Sequence, residues 1–247
     1  MERKEPKRRK KPNHVVRLLS AIALIGAIFI FLFNAPLFDV TKIQVVGNEK
    51  IRTSEIIDAA RISNGSNIFS LSRKSVADRI LQVAYVKDVN IKKSFPNKVV
   101  IEVEERINTA AYRLNEAYYL IDNDGILLEI SQEPVAGITI IGGLTLENIN
   151  LGDATFSKLP NEGLETLLKQ LVAEGLFSKF HVIMLGDIDH INFEMYDETK
   201  VEFGDLREVK YKVSFLKEIL DDITMKGLKV KSILMDQGTK PVIVIDE

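Results

Sequence analysis

The chain has 247 residues, 46% of them hydrophobic, with 33 Lys and Arg against 35 Asp and Glu and a formal net charge of −2. That balance excludes a disordered acidic chain and a uniformly basic nucleic-acid binder. The absence of Cys excludes disulfides, thiolate metal sites and Cys nucleophiles, and three His residues (His14, His181 and His190) are too few for a His-rich metal centre.

The averaged charge hides an asymmetry. Residues 1–17 hold eight Lys and Arg against two Glu, leaving 25 basic and 33 acidic residues in the remainder. Between the two lies an uncharged run over 18–33, which Val15, Val16 and Arg17 extend to 19 residues. At ~1.5 Å per residue that length crosses a hydrocarbon core of ~30 Å. A buried core helix would be shorter and would not follow a basic tail. A cleaved signal peptide has an apolar region of about 7–15 residues and small residues before the cut, and Phe33-Asn34-Ala35 lacks the small residue two positions before Ala35. The expectation is an uncleaved anchor over 15–34, placed in the lipid bilayer of the plasma membrane. Residues 1–14 form a cytoplasmic basic tail and the C-terminus lies outside, because Lys and Arg stay on the cytoplasmic side. No second apolar run of comparable length follows, so the chain reads as single-pass.

After Pro36, Val40–Val46 alternates as a strand and Gly47-Asn48 ends it. Thr53 or Ser54 is placed to cap a short helix running to Ala60, and Ser72 or Ser75 a second one to about Gln82. Val86, Val89 and Ile91 mark a strand, Ser94-Phe-Pro-Asn97 a turn, and Val99, Ile101 and Val103 the buried side of another strand. The order is β-α-α-β-β.

This series resembles the POTRA domain of the FtsQ/DivIB family of cell-division proteins. The resemblance rests on Phe38-Asp-Val, Ile43-Gln-Val-Val-Gly-Asn48, Asn67-Ile-Phe69, Tyr85-Val86, Phe95-Pro96 and Val99-Val-Ile-Glu-Val-Glu-Glu-Arg106, in that order after one membrane span. Ala84 and Asn108 stand where that family often has Pro. The expected architecture is α+β: a single N-terminal transmembrane helix, a POTRA domain over 37–106, and a mixed β-sheet domain with two helices over 107–247.

In that last region Tyr118–Ile121 and Ile126–Ile130 flank Asp122-Asn-Asp-Gly125 as a hairpin. A calcium loop is the sharper reading of Asp122 and Asp124, but no third Asp or Asn precedes the Gly at the required spacing. Pro160 should open a helix carrying Leu164, Leu167, Leu168, Leu171 and Val172 on one face, closed by Gly175. Strands are expected at 181–185, 190–195 and 200–203. Asp205 with Glu208 has capping-box spacing before a helix bearing Val209, Val213, Leu216, Leu220 and Ile223, which Gly227 stops. Lys231–Met235 and Pro241–Ile245 are the last strand signals.

No residue set converges on catalysis, and neither a metal nor a cofactor is expected. Asp187 and Asp189 would share one strand face with His190 opposite, so a turn is the simpler reading. His181 reads as an edge or core residue, and Glu102, Glu104 and Glu105 as the solvated side of a strand. The basic tail lacks aromatic interleaving and abuts the span, so no nucleic-acid partner is expected.

The resemblance implies a non-enzymatic divisome protein that links early and late division proteins at the septum. It implies FtsB/DivIC-like and FtsL-like coiled-coil membrane partners, with the septal wall synthase as a further one, and regulation of septal wall synthesis. By the same resemblance a partner segment pairs with an open sheet edge within Ser232–Ile245, with Met235, Gln237, Thr239, Pro241 and Val242 as contact residues. A core strand would carry the same apolar residues. The alternatives are a membrane-anchored wall enzyme, which needs convergent acid, base or metal groups, and a POTRA-type secretion or chaperone protein.

Overall fold

The computed structural model describes residues 14–236 and 241–246; the expected basic tail, His14 apart, lies outside them. The chain begins with α1 (His14–Asn34), none of whose residues is buried against protein. Among the described residues it is the one helix long and apolar enough to cross a membrane. Its uncharged 18–33 run, with no residue buried, fits the membrane-spanning helix of a single-pass protein.

Two compact units follow from the contacts, one gathering the chain up to Ile80 with Val89–Val103, the other Leu81–Asp88 with Glu104 onward. In the first, β1 (Lys42–Val46), α2 (Thr53–Ala60), α3 (Arg73–Ile80), β2 (Val86–Ser94) and β3 (Lys98–Glu105) appear in the expected β-α-α-β-β order. The sheet runs β1-β3-β2, with β1 parallel to β3. Val99, Ile101 and Val103 are buried while their strand neighbours are not, the period-2 pattern read from the sequence. Ser72 accepts from the Ser75 N–H at 3.3 Å and so caps α3. The other cap differs: α2 starts at Thr53, its capping position is Arg52, and no side chain closes it. At its far end Arg79 donates two hydrogen bonds to the Ala60 carbonyl, 3.0 and 2.6 Å, satisfying an acceptor that a helix end leaves open. Gly47, at φ +89°, lies where an added Cβ would sit 2.2 Å from the Val103 carbonyl oxygen, so the turn after β1 requires glycine.

Among the described residues the second unit is a nine-stranded mixed sheet with two α-helices. Its strands are β4 (Ala110–Leu114), β5 (Ala117–Ile121), β6 (Leu127–Ser131), β7 (Thr139–Gly142), β8 (Phe180–Met184), β9 (Ile191–Met195), β10 (Lys200–Gly204), β11 (Val230–Leu234) and β12 (Val242–Ile245). The spatial order is β12-β11-β10-β9-β8-β7-β4-β5-β6. β4–β7, β7–β8 and β10–β11 are parallel and the other pairs antiparallel. Parallel neighbours need crossovers: α4 (Glu162–Ala173) lies in the connection between β7 and β8, and α5 (Val209–Lys226) joins β10 to β11. Leu164, Leu167, Leu168 and Leu171 of α4 and Val209, Val213, Leu216, Ile219 and Leu220 of α5 enter one core with Tyr112, Ile141, Ile183, Phe193, Phe203 and Ile233 of the sheet. Ala111, Leu120 and Ile138 form a small cluster of their own, as alternating side chains on a two-faced sheet must.

Local capping departs from expectation twice. α4 is capped by Asn161, whose side chain accepts from the Gly163 N–H at 2.7 Å, so Pro160 lies before the helix rather than inside it. The Asp205–Glu208 box does not form. Glu208 takes a left-handed φ of 50° with no side-chain cap. Asp205 instead accepts from the Arg207 N–H at 3.0 Å and from Lys212 Nζ at 2.9 Å.

Candidate partner-binding edge

Among the described residues β12 is the terminal strand of the large sheet and pairs with β11 alone. The register sets Leu234 opposite Val242, Ile233 opposite Ile243, and Ser232 opposite Val244. All four β12 residues are apolar, yet Val242, Ile243, Val244 and Ile245 are 46%, 37%, 37% and 55% exposed. Successive residues point to opposite faces, so neither face of the strand is covered. The Asp246 N–H donates to the Lys229 carbonyl at 2.9 Å. Alternate residues of a strand aim their backbone groups the same way, so Val244 faces β11 while the N–H and C=O of Ile243 and Ile245 face outward. An apolar edge of this kind, whose outward donors and acceptors meet no partner among the described residues, is a template for another strand.

Of the expected contact residues, Met235 stands just past β11. It is half-buried against the helix-covered core, and its N–H donates to the Glu202 carbonyl at 2.8 Å. Pro241 is half-buried and Val242 exposed. Gln237 and Thr239 lie outside the described residues. The continuation of the exposed run through Ile243, Val244 and Ile245 was visible in its residues only as a strand; the open edge was expected from the family resemblance alone.

The residues weighed for chemistry are occupied structurally. Asp122 is buried and forms an ion pair with Arg106, and its Oδ1 accepts from the Asp124 and Ile126 N–H groups, both at 2.9 Å. Asp124 meets the same Arg106 at 3.1 Å. This is a turn held by a cation and two amides, with Gly125 at φ +75° and an added Cβ there 2.5 Å from the Phe156 ring. Residues 187–190 are likewise a turn. His190 Nδ1 lies 2.9 Å from Asp187 Oδ2, which raises the imidazole pKa and lowers that of the carboxyl. Among the described residues no three His, Asp or Glu are grouped so as to hold a metal ion. Glu104 pairs with Lys87 at 2.8 Å, and Glu102 with Lys92 at 2.6 Å and Asn90 at 2.9 Å. His181 is neither edge nor core: β8 is internal to the sheet, and the imidazole is exposed beside Tyr196, ring centres 5.3 Å apart. It borders a cavity of about 760 Å³ with Tyr118, Ile138, Ile140 and Met184, whose lining includes no carboxylate among the described residues.

Comparison with known proteins bears on what such an edge serves. Residues 38–106 match the family described as POTRA domain, FtsQ-type. The chain is 31% identical over 140 residues to the cell division protein DivIB of Clostridium tetani, covering 56% of this chain and 52% of that protein. With DivIB of Clostridium acetobutylicum it shares 34% over 148 residues, 59% of each. With DivIB of Clostridium botulinum it shares 26% over 250 residues, 98% of this chain and 94% of the relative. In the first two alignments the chain spans between half and three fifths of the relatives' length. The solved extracytoplasmic domain of DivIB from Geobacillus stearothermophilus aligns at 15% identity and a TM-score of 0.32, over 49% of this chain and 97% of that one; so low a score bears no weight for the fold.

Proposed function

We propose, for a chain that belongs to the FtsQ/DivIB family of cell-division proteins, a non-enzymatic scaffolding role in the divisome: outside the cytoplasm it receives a partner strand along β12. The observation that carries this reading is the terminal strand itself, four consecutive apolar residues exposed on both faces beside outward-facing backbone groups. In β-augmentation the backbone ladder supplies affinity and alternate side chains supply selectivity. The partners are FtsB/DivIC-like and FtsL-like coiled-coil membrane proteins, which the family resemblance supplies, and the complex regulates septal wall synthesis. Eight Lys and Arg within residues 1–17 favour a cytoplasmic N-terminus and an extracytoplasmic C-terminus.

The test is amide hydrogen exchange on the full chain with and without the FtsB/DivIC-like partner. Exchange should slow at residues 243 and 245 more than at the distant strand β6. Slowing confined to β6 or to the first unit would move the docking edge, and no slowing anywhere would remove the partner reading.

A further inference from the structure

The membrane helix ends at the exposed Asn34, and an aromatic stack adjoins its last turn. Phe29 and Phe33 stack with ring centres 5.1 Å apart, and Phe33 meets Phe69 at 6.1 Å. Phe69 in turn meets Phe38 at 5.0 Å and Phe95 at 5.2 Å. The stack is tied to the helix: the Asn67 side-chain amide donates to the Leu32 carbonyl at 2.9 Å, an acceptor the last turn of α1 would otherwise leave open. Residues 38–40 pair with 66–68, through Ile68 N–H to the Phe38 carbonyl at 2.8 Å and Val40 N–H to the Ser66 carbonyl at 2.9 Å. At the outside of this assembly Leu37 is 61% and Phe95 57% exposed.

Cations lie close to these residues in sequence and sheet register. Lys42 and Lys98 are neighbours across β1 and β3, and Lys93 precedes Phe95 by two residues. Lys93 has its pKa lowered, by burial first and then by the nearby Arg73. Neither Lys93 nor Arg73 has an ion-pair partner among the described carboxylates; Asp39 is the nearest acidic residue in sequence to the stack.

We propose that this patch is a second, interfacial membrane contact, in which Leu37 and Phe95 enter the headgroup–acyl boundary of the leaflet from which α1 emerges and Arg73, Lys93 and Lys98 meet anionic lipid headgroups. Lipid is the occupant because the patch is continuous with the span. Four residue steps separate Phe33 from Leu37, at most about 14 Å if fully extended, and a single-turn helix at Pro36–Phe38 shortens that reach. The interfacial zone of each leaflet is itself about 5–7 Å deep. Exposed apolar side chains accompanied by cations are the composition by which surfaces bind anionic bilayers. The proposal rests on α1 as a membrane span, not on the division role.

The chain has no Cys, so single nitroxide labels can be placed by Ser94→Cys at the tip, Ile25→Cys in the span and Glu116→Cys in the turn between β4 and β5. In the full chain reconstituted into phosphatidylcholine–phosphatidylglycerol vesicles, collisions with oxygen and with a water-soluble nickel chelate report depth. Ile25→Cys should be rich in oxygen and shielded from nickel, Glu116→Cys the reverse, and Ser94→Cys shielded from nickel at interfacial depth. Phe95→Asp, at an exposed position, should return Ser94→Cys to the nickel accessibility of Glu116→Cys while the circular dichroism spectrum is kept. A deep Ile25 label with a nickel-exposed Ser94 label would overturn the contact and leave the span standing. An aqueous Ile25 label would remove the span and the contact with it. Dipolar broadening at Ser94→Cys, abolished by diluting with unlabelled protein, would show a second copy covering the patch and also overturn the proposal, as would shielding that survives Phe95→Asp.

Discussion

Proline placed at two adjacent positions of β12 separates docking from folding. The Asp246–Lys229 hydrogen bond fixes which backbone groups face β11, so Ile243→Pro deletes an outward N–H and Val244→Pro an inward one. In the free protein the outward N–H has no partner among the described residues, and edge positions tolerate proline. Ile243→Pro should therefore melt near the parent. In the complex it leaves a partner carbonyl unpaired, which costs about 1–3 kcal/mol, roughly 5- to 150-fold in Kd. Val244→Ala gives the side-chain comparison. It removes two carbons worth ~0.8 kcal/mol each on full burial, and at 37% exposure the partner can recover only ~0.6 kcal/mol, about threefold in Kd. Val244→Pro should instead detach β12 and lower the melting temperature. The assay is calorimetric titration of the detergent-solubilised chain with the FtsB/DivIC-like partner, alongside thermal melting of each variant. Normal binding by Ile243→Pro would refute the edge. If Val244→Ala lost as much as Ile243→Pro, a side-chain pocket rather than a backbone ladder would carry recognition.

Three other outcomes are open to measurement. A reporter fused at Glu247 should be active only in its extracytoplasmic form, and cytoplasmic activity would reverse the orientation and remove the division role. Chelator should leave the melting temperature unchanged, because Arg106 and backbone amides already occupy Asp122; a rise of several degrees with calcium would show that the turn holds an ion. Asp205 is held down to about 2 from an ordinary 3.8, first by its hydrogen bond from Lys212 and then by the Arg207 N–H and side chain. A depressed carboxyl contributes stability above its unfolded-state pKa and loses it as pH falls through the folded value. Denaturation midpoints should thus drop between pH 3.8 and about 2, less steeply in Lys212→Met, and parallel acid limbs for parent and variant would refute the assignment.

What could be read from sequence was whatever local pattern decides. The span needed only uninterrupted apolarity, and α4 and α5 announced themselves by apolar residues at spacings of three and four. The hairpin around Asp122-Asn-Asp-Gly125 followed from turn chemistry. Asp205 shows where such reading stops: its spacing to Glu208 suits a cap, but Lys212, one turn into α5, claims the carboxylate. His181 follows an apolar rule that the sheet overrides, because β8 is internal while the side chain remains exposed. β4 and β7, short and central, carry no alternation to mark them. The rank of β12 was hidden for a deeper reason. Which strand ends the sheet depends on two crossovers through α4 and α5, and no window of sequence contains both.

The uncovered state of β12 makes a demand on whatever docks there. The helix layer that shields the middle of the sheet does not shelter this strand, since all four of its side chains are exposed. A tenth strand added alongside would stand further out still, with both of its own faces wet. A bare extended peptide would therefore gain the ladder but forfeit most of the apolar burial that should accompany it. A tight ligand must bring its own roof: an amphipathic element beside its strand that folds over Val242 and Val244 on one side, or Ile243 and Ile245 on the other.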